Sequence, residues 1–360
     1  MKKLFSIALV LIMLLSCASA LAEEPVTLTY SEVNPLDGTI VGEMAKAFKE
    51  KAEELTNGSV IIDIQANGVL GSEDQILDDL LSGGSITDIG RFSAFAFTQY
   101  GCDKAMLLSI PYTFVNEEHF WNFAASDLAK EFLNEPEELG LGMKGLAYGE
   151  EGFRHFFFTK QVNGLDDIKG MKLRVSSDPV MTGMVSGLGA SATTVPFTEL
   201  YSALQTGVVD GAEQPIANYL SNAFPEVSPY VIKDGHTLGA IQIVIPDAAL
   251  AKLTEEQQAA IQEAADYASL VCKQKVAEIE GETYAKLAEA GVTVVEVEDK
   301  APWVAACQQV IDENTASQAE LYQQIVAMQL SQSSGCRTRR GRRAKPLRLF
   351  FTLNSSRRKS

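Results

Sequence analysis

The 360-residue chain is poor in the residues on which most catalytic and metal centres are built. It has three histidines, His119, His155 and His236, and five cysteines, Cys17, Cys102, Cys272, Cys307 and Cys336, scattered too widely for zinc-ligand spacing. His-Glu-x-x-His, Walker-type and Gly-x-Ser-x-Gly motifs are absent, which removes the usual support for metalloprotease, phosphoryl-transfer and serine-hydrolase chemistry. No apolar run reaches the roughly 20 residues needed to cross a ~30 Å hydrocarbon core, so a transmembrane enzyme is excluded. Positive charge is scarce: residues 23–330 hold 15 lysines and 3 arginines against 47 acids, a net of −29. A body of that sign repels nucleic acid and anionic lipid, so an anionic ligand needs a local pocket of fixed positive charge.

The two ends differ from this body. Lys2-Lys3, the apolar run Leu4 to Leu15 and the small residues through Ala22 follow the order of a secretory signal, which predicts a signal peptide over residues 1–22 and an exported protein, in the periplasm or on the extracytoplasmic face. Leu14-Leu15-Ser16-Cys17 also forms a lipoprotein box, so lipid anchoring through Cys17 stands as an alternative to cleavage after Ala22. The export compartment permits a disulfide, without the spacing specifying one. Residues 331–360 carry ten Lys/Arg and no acid; this basic tail reads as disordered, against a reading as a nucleic-acid or membrane-surface arm.

Between the ends, strand and helix patterns alternate. Val26 to Ser31 reads as a strand, Ile40, Val41, Met44, Ala47, Phe48 and Leu55 recur at helical spacing, and Val60 to Ile64 is a second strand. Ser72 with Gln75 forms a capping box for a helix through Leu81, and Ile86 to Phe92 is a third strand. A second series follows: strand Leu146 to Phe158, strand Lys172 to Val175, helix Pro179 to Leu188, helix Phe197 to Gly207 and strand Val208 to Ala212. Ile241 to Ile245 is one more strand, and Thr254 to Ala290 reads as long helix. The expectation is an α/β fold, a mainly parallel sheet covered by helices, in two joined lobes. Gly140-Leu141-Gly142-Met143-Lys144-Gly145 satisfies Gly-x-Gly-x-x-Gly, but a strand follows it where a dinucleotide site needs a helix, so it reads as a turn.

The three arginines of the body, Arg91, Arg154 and Arg174, all lie in or beside apolar strand-like runs, while surface charge is left to lysine. The planar guanidinium clamps a carboxylate through two parallel hydrogen bonds and stays charged when partly buried. Spacing alone leaves two roles open for Arg174: docking a ligand carboxylate, or a buried pair with one of the many acids.

Gly152-Phe153-Arg154-His155, Asp167 to Val175 (DIKGMKLRV), Leu188-Gly189-Ala190 and Val195 to Pro215 (VPFTELYSALQTGVVDGAEQP) closely resemble, in order and spacing, the TRAP transporter substrate-binding proteins of the DctP type. Weaker echoes, such as Leu108-Ser109-Ile110-Pro111-Tyr112, extend the resemblance over roughly Val26 to Leu330. It implies a two-lobed, periplasmic-binding-protein-like clamshell with a hinge and a long C-terminal helical region. Lobe I is expected to comprise residues 23–150 plus about 240–279, and lobe II residues 151–239 plus about 280–330. The implied function is a solute receptor rather than an enzyme, without cofactor or metal, that captures a small organic acid and delivers it to DctQ- and DctM-type membrane subunits. By the same resemblance Arg174 holds the ligand carboxylate and Arg154 assists. Gln214 stands where the family usually has asparagine, Phe197 packs beside the ligand, and Glu73, Tyr201 and Ser177 line the cleft. Plainer readings stand beside these: Phe197 as core, Tyr201 as part of a helix's buried stripe, and Glu73 as a charge favoured at a helix N-terminus. Arg91 has no clear family counterpart. Two other classes also fit the chain, a sensory receptor of the same fold without a transporter and a secreted enzyme acting on acidic sugars, which needs a carboxylate pair at the cleft.

Overall fold

The computed structural model describes residues 24–330; the expected signal segment with Cys17, and the basic tail with Cys336, lie outside the described residues. Nine strands form one sheet: β1 (Val26–Ser31), β2 (Val60–Gln65), β3 (Ile89–Ser93), β4 (Met143–Phe158), β5 (Lys172–Val175), β6 (Ser191–Thr194), β7 (Gly211–Pro215), β8 (Tyr230–Pro246) and β9 (Thr293–Glu296). The order is β2-β1-β3-β8-β4-β7-β5-β6, with β9 also on β8. The expected parallel pairing holds for β1 with β2 and β3, β5 with β6 and β7, and β8 with β9. The centre differs: β3/β8, β4/β8 and β4/β7 are antiparallel. Among the described residues the two long strands β4 and β8 are the only ones shared by the β1–β3 end and the β5–β7 end, so they carry the chain between two half-sheets.

Local signals account for most elements. Thr39 caps the helix Ile40–Leu55, its hydroxyl accepting from the Gly42 N–H, and that helix buries Ile40, Val41, Met44, Ala45, Phe48 and Ala52. The Ser72/Gln75 capping box is present and starts the helix Glu73–Leu81, which sets Glu73 at its first position. The Gly-x-Gly-x-x-Gly segment is a turn leading into β4, with Gly140 and Gly142 at positive φ. Four expectations shift. The strand predicted at Ile86 to Phe92 starts at Ile89, and Ile241 to Ile245 is the last part of the much longer β8. The strand predicted at Val208 to Ala212 forms three residues later as β7, leaving Val208 exposed, and the predicted helix Phe197 to Gly207 divides into a 3-10 turn Phe197–Glu199 and a short helix Leu200–Gln205.

The helix Glu255–Glu289 is opened by a Thr254/Gln257 capping box and packs along the helix Ile40–Leu55 and β4. Its far end places Leu287 in a second core cluster with Leu200, Ile216 and Phe224, so it braces both half-sheets. The helix Ala301–Thr315 lies close on the helix Pro179–Gly187, where a Cβ on Gly183 would come within 2.6 Å of Val310 Cγ2. The last helix, Ala319–Ala327, returns to the first half: His119 Nε2 is 2.7 Å from the Ile325 carbonyl and Tyr322 is bonded to Thr113 at 3.3 Å. Cys102, Cys272 and Cys307 are buried free thiols.

β4 passes between the halves through an irregularity, its register with β8 shifting between Glu150 and Phe153. Gly152 occupies that bulge with φ +84°, and an added Cβ would collide with the Glu280 carboxylate of the long helix. A left-handed backbone costs an L-residue roughly 1–2 kcal/mol, and Glu280 must move as well. Gly152→Ala is therefore expected to lower stability by at least that amount, read from the urea midpoint; an unchanged midpoint would show that the crossover is not held in this conformation.

Candidate functional site

A cleft with about 480 Å³ of empty space, part of it open to solvent, lies between the half-sheets. β3 supplies Arg91 and Ser93, β4 supplies Glu151 and Arg154, β5 supplies Arg174, and β7 supplies Gln214. Asn34 follows β1, Ser72 to Asp74 form the start of the helix Glu73–Leu81, and Asn218 lies on the helix Ile216–Ser221 after β7. Ser176 and Phe197 complete the wall on the β5 side. All three arginines of the body therefore face one cavity.

Their partners differ. Arg91, 1% exposed, donates Nε to Glu32 Oε2 at 2.7 Å and Nη2 to the other Glu32 oxygen, while Nη1 reaches Glu73 Oε1 at 2.8 Å and Glu151 Oε1 at 3.2 Å. Arg154 is forked onto Glu213, with Nη2 at 3.0 Å from Oε1 and Nε bonded to Oε2; its Nη1 is 3.8 Å from Glu151 Oε2. This pairing follows from the β4/β7 ladder, in which Phe156 sits opposite Glu213 and Arg154 opposite Pro215. Arg174, 4% exposed, donates Nε to the Val195 carbonyl at 2.8 Å and lies 6.0 Å from the Phe197 ring centroid. Among the described residues it makes no ion pair.

The electrostatics sharpen the contrast. Burial would raise the Glu213 carboxyl, but Arg154 and His236 hold it down to about 2, so it stays ionised and occupies the Arg154 fork. His236 is disfavoured as a cation by burial, yet Asp234 at 2.7 Å and Glu213 lift it to about 9. Burial pushes Glu73 and Glu151 upward, opposed chiefly by Arg91. Burial brings Arg174 down to about 10, because Glu213 attracts it too weakly to offset the desolvation and Arg154 repels it. It is still a cation at neutral pH. A buried charge without a counter-ion is costly, and a solute carboxylate is the partner its fork geometry fits.

Around that guanidinium the cleft offers neutral hydrogen-bonding groups. Ser176 Oγ is buried without a hydrogen-bond partner among the described residues, and the amides of Asn34, Gln214 and Asn218 line the same wall or the facing one. Among the described residues no group of three His, Cys, Asp or Glu is placed to hold a metal.

Of the residues expected from sequence, Arg174, Arg154, Gln214, Phe197 and Glu73 line the cleft. Ser177 and Tyr201 do not: Ser177 Oγ donates to Asp74 Oδ2 at 2.8 Å, and Tyr201 donates outward to Glu226 at 2.8 Å. The lining serine is Ser176, and the two-residue period of an extended strand, which sets it on the face of Arg174, carried that signal. Arg91 and Glu151 reach the cavity as a mutually neutralising group. Asn34 and Asn218 had no signal, since each owes its place to packing between distant segments. His155 supports packing: its Nδ1 accepts from the Gly235 N–H at 2.9 Å.

Comparisons with known proteins place the chain among solute-binding proteins. A solute-binding protein of Roseobacter denitrificans is 30% identical over 274 residues, covering 76% of this chain and 82% of that protein. The structure of that protein with bound L-galactonate superposes with a TM-score of 0.77 at 27% identity, covering 85% and 99% of the two chains. A TRAP periplasmic solute-binding protein of Pseudomonas putida F1 with bound D-glucuronate gives a TM-score of 0.79 at 26% identity over 84% and 97% of the chains. The C4-dicarboxylate-binding periplasmic protein DctP of Rhodobacter capsulatus is 29% identical over 256 residues, 70% of this chain and 75% of that one. Residues 30–318 match the family model of the bacterial extracellular solute-binding proteins, family 7, so the chain, with its two-lobed fold, belongs to the DctP family.

Proposed function

We propose that this protein captures a sugar acid, an aldonate or uronate, between its lobes and delivers it to the DctQ- and DctM-type membrane subunits of a TRAP transporter. The observation that carries the reading is Arg174, a buried guanidinium with one backbone carbonyl as its hydrogen-bond acceptor and no ion pair among the described residues. The solute carboxylate takes its free arms, and Ser176, Gln214, Asn218 and Asn34 take hydroxyl groups, with Phe197 beneath the guanidinium. Arg154 assists by its field and by fixing Glu213 beside the site. The bound solutes of the Roseobacter and Pseudomonas relatives, L-galactonate and D-glucuronate, each join one carboxylate to several hydroxyls, which suits a guanidinium that makes no ion pair among the described residues and has amide and hydroxyl groups around it.

Glu73 and Glu151 are the carboxylates nearest to an enzymatic pair, and both accept from Arg91, a binding-site scaffold rather than an acid/base couple. The lobes divide as residues 23–150 with about 240–279, and 151–239 with about 280–330, the helix Ala319–Ala327 strapping the second to the first. Among the described residues no helix is long and apolar enough to cross a membrane, in keeping with an exported receptor released after Ala22 or anchored through Cys17.

A thermal-shift screen of the purified protein tests this. A solute at 100 times its dissociation constant adds about 2.7 kcal/mol, so D-glucuronate or L-galactonate is expected to raise the melting temperature while the corresponding neutral sugars do not. Stabilisation by neutral sugars alone would remove the role given to Arg174.

A further inference from the structure

Away from β4 and β8, the edges of the cleft meet through a few side-chain hydrogen bonds between segments far apart in sequence. Ser177, just after β5, donates to Asp74 in the first turn of the helix Glu73–Leu81 at 2.8 Å. Asn222, at the end of the helix Ile216–Ser221, donates Nδ2 to Asn34 Oδ1 at 3.1 Å. Neither Ser177 nor Asn222 lines the cavity, but both acceptors do. Each acceptor is held from its own side. Asn34 donates its backbone N–H and Nδ2 to Glu32 Oε1, at 2.7 and 3.1 Å, and Glu32 is forked onto Arg91. Asp74 takes a second bond from Gln99 at 2.9 Å. On the other side Asn222 also donates to the carbonyl of Asn218, a residue of the cavity wall, at 2.9 Å.

We propose that Ser177–Asp74 and Asn222–Asn34 form a two-point latch that holds the cleft shut, making Ser177 and Asn222 positioning residues that set how fast solute leaves. This rests on the reading of the cleft as the solute site. Both bonds join the β1–β3 half to the β5–β7 half, so lobe separation breaks them and they favour the closed form alone. A contact present in one state only shifts the equilibrium by its full worth. Neither Ser177 nor Asn222 touches the solute, and Asn34 keeps its bonds to Glu32 without Asn222, so loss of either donor weakens every acid by one common factor, whereas loss of a lining residue would weaken different acids unequally.

The test is stopped-flow binding of D-glucuronate and L-galactonate to the full protein, its Ser177→Ala and Asn222→Ala variants and the double variant. Dissociation is expected to speed up about 5–10-fold for each single change and roughly 30–100-fold for the double, consistent with one hydrogen bond lost at each point. Association should change less than about threefold, and Ser177→Thr, which keeps the hydroxyl, should restore slow release. Small-angle scattering of the solute-free double variant should show a larger radius of gyration than the parent protein. Unchanged dissociation in a folded, solute-binding double variant would overturn the latch, as would unequal losses between the two acids. If the parent protein bound neither acid nor any other organic anion, the solute-site reading would fall, and the scattering comparison would then decide the latch by itself.

Discussion

Arg174→Ala is expected to abolish measurable binding of any sugar acid while leaving the protein folded. Each charge-assisted hydrogen bond is worth about 1.5–3 kcal/mol, so losing both arms of the fork costs about 3–6 kcal/mol, or on the order of 10²–10⁴ in affinity. The change removes little that holds the fold together, because the one hydrogen bond of the Arg174 side chain goes to the Val195 carbonyl. Burial already works against this cation, bringing it down to about 10. Arg174→Met, which keeps the apolar stem and deletes the charge, is therefore expected to melt at or above the temperature of the parent protein. A site that binds an anion stores instability that the solute relieves. Arg174→Lys should recover only part of the affinity, because an ammonium is a point donor and cannot reproduce the planar fork. Calorimetric titration with D-glucuronate, paired with melting curves, separates the two effects. A folded Arg174→Ala protein with near-normal affinity would end the assignment.

Arg91→Met should behave in the opposite way, failing in stability before it fails in binding. Arg91 is ion-paired with Glu32, Glu73 and Glu151 at once and is 1% exposed. Breaking a buried pair by deleting one partner costs about 3–5 kcal/mol, and here three carboxylates lose the same cation. The sign of the pH dependence follows from the carboxyls. Burial already raises Glu73 and Glu151 above their ordinary values, and Arg91 is the main force pulling them back. Without it they rise further, so the folded variant binds more protons than the unfolded chain. Its stability is then greatest at acid pH and is lost as pH climbs through the raised carboxyl values. Urea midpoints of Arg91→Met at pH 5 and pH 8 are expected to show a deficit that shrinks markedly at pH 5. An equal deficit at both values would mean that packing of the side chain, and not its charge, accounts for the loss.

The two arginines look alike in the sequence, each flanked by apolar residues of a strand, and their roles differ because of what the other strands bring. What could be read along the chain was whatever depends on neighbours a few residues apart. The Ser72/Gln75 capping box, the apolar stripe of Ile40–Leu55, the strand Lys172–Val175 and the long helix begun at Thr254 are set by local hydrogen bonding and by apolar periodicity. The concentration of arginine in three strand-like runs, together with the Lys-Gly-x-Lys-x-Arg-Val and Asp-Gly-x-Glu-x-Pro segments, also pointed to the family and to Arg174 before any contact was known.

Strand direction and charge pairing were beyond that reach. β8 is antiparallel to β3 and β4 because the chain returns from the second half-sheet to the first, a choice made by long-range packing that leaves no period in the sequence. The pairing of β4 with β7 sets Glu213 opposite the Arg154 strand, and the approach of β1, the helix Glu73–Leu81 and β4 to β3 gathers Glu32, Glu73 and Glu151 around Arg91. Ser177 and Ser176 show the limit at its finest: adjacent residues of one type, sent by the alternation of an extended backbone to different sides, one to the cavity and one to the far edge of the cleft. Local order along the chain set most of the elements, the acidic body and the stock of three arginines. Which of the three has no carboxylate partner among the described residues depends on distances between strands far apart in the chain, and no local interaction encodes them.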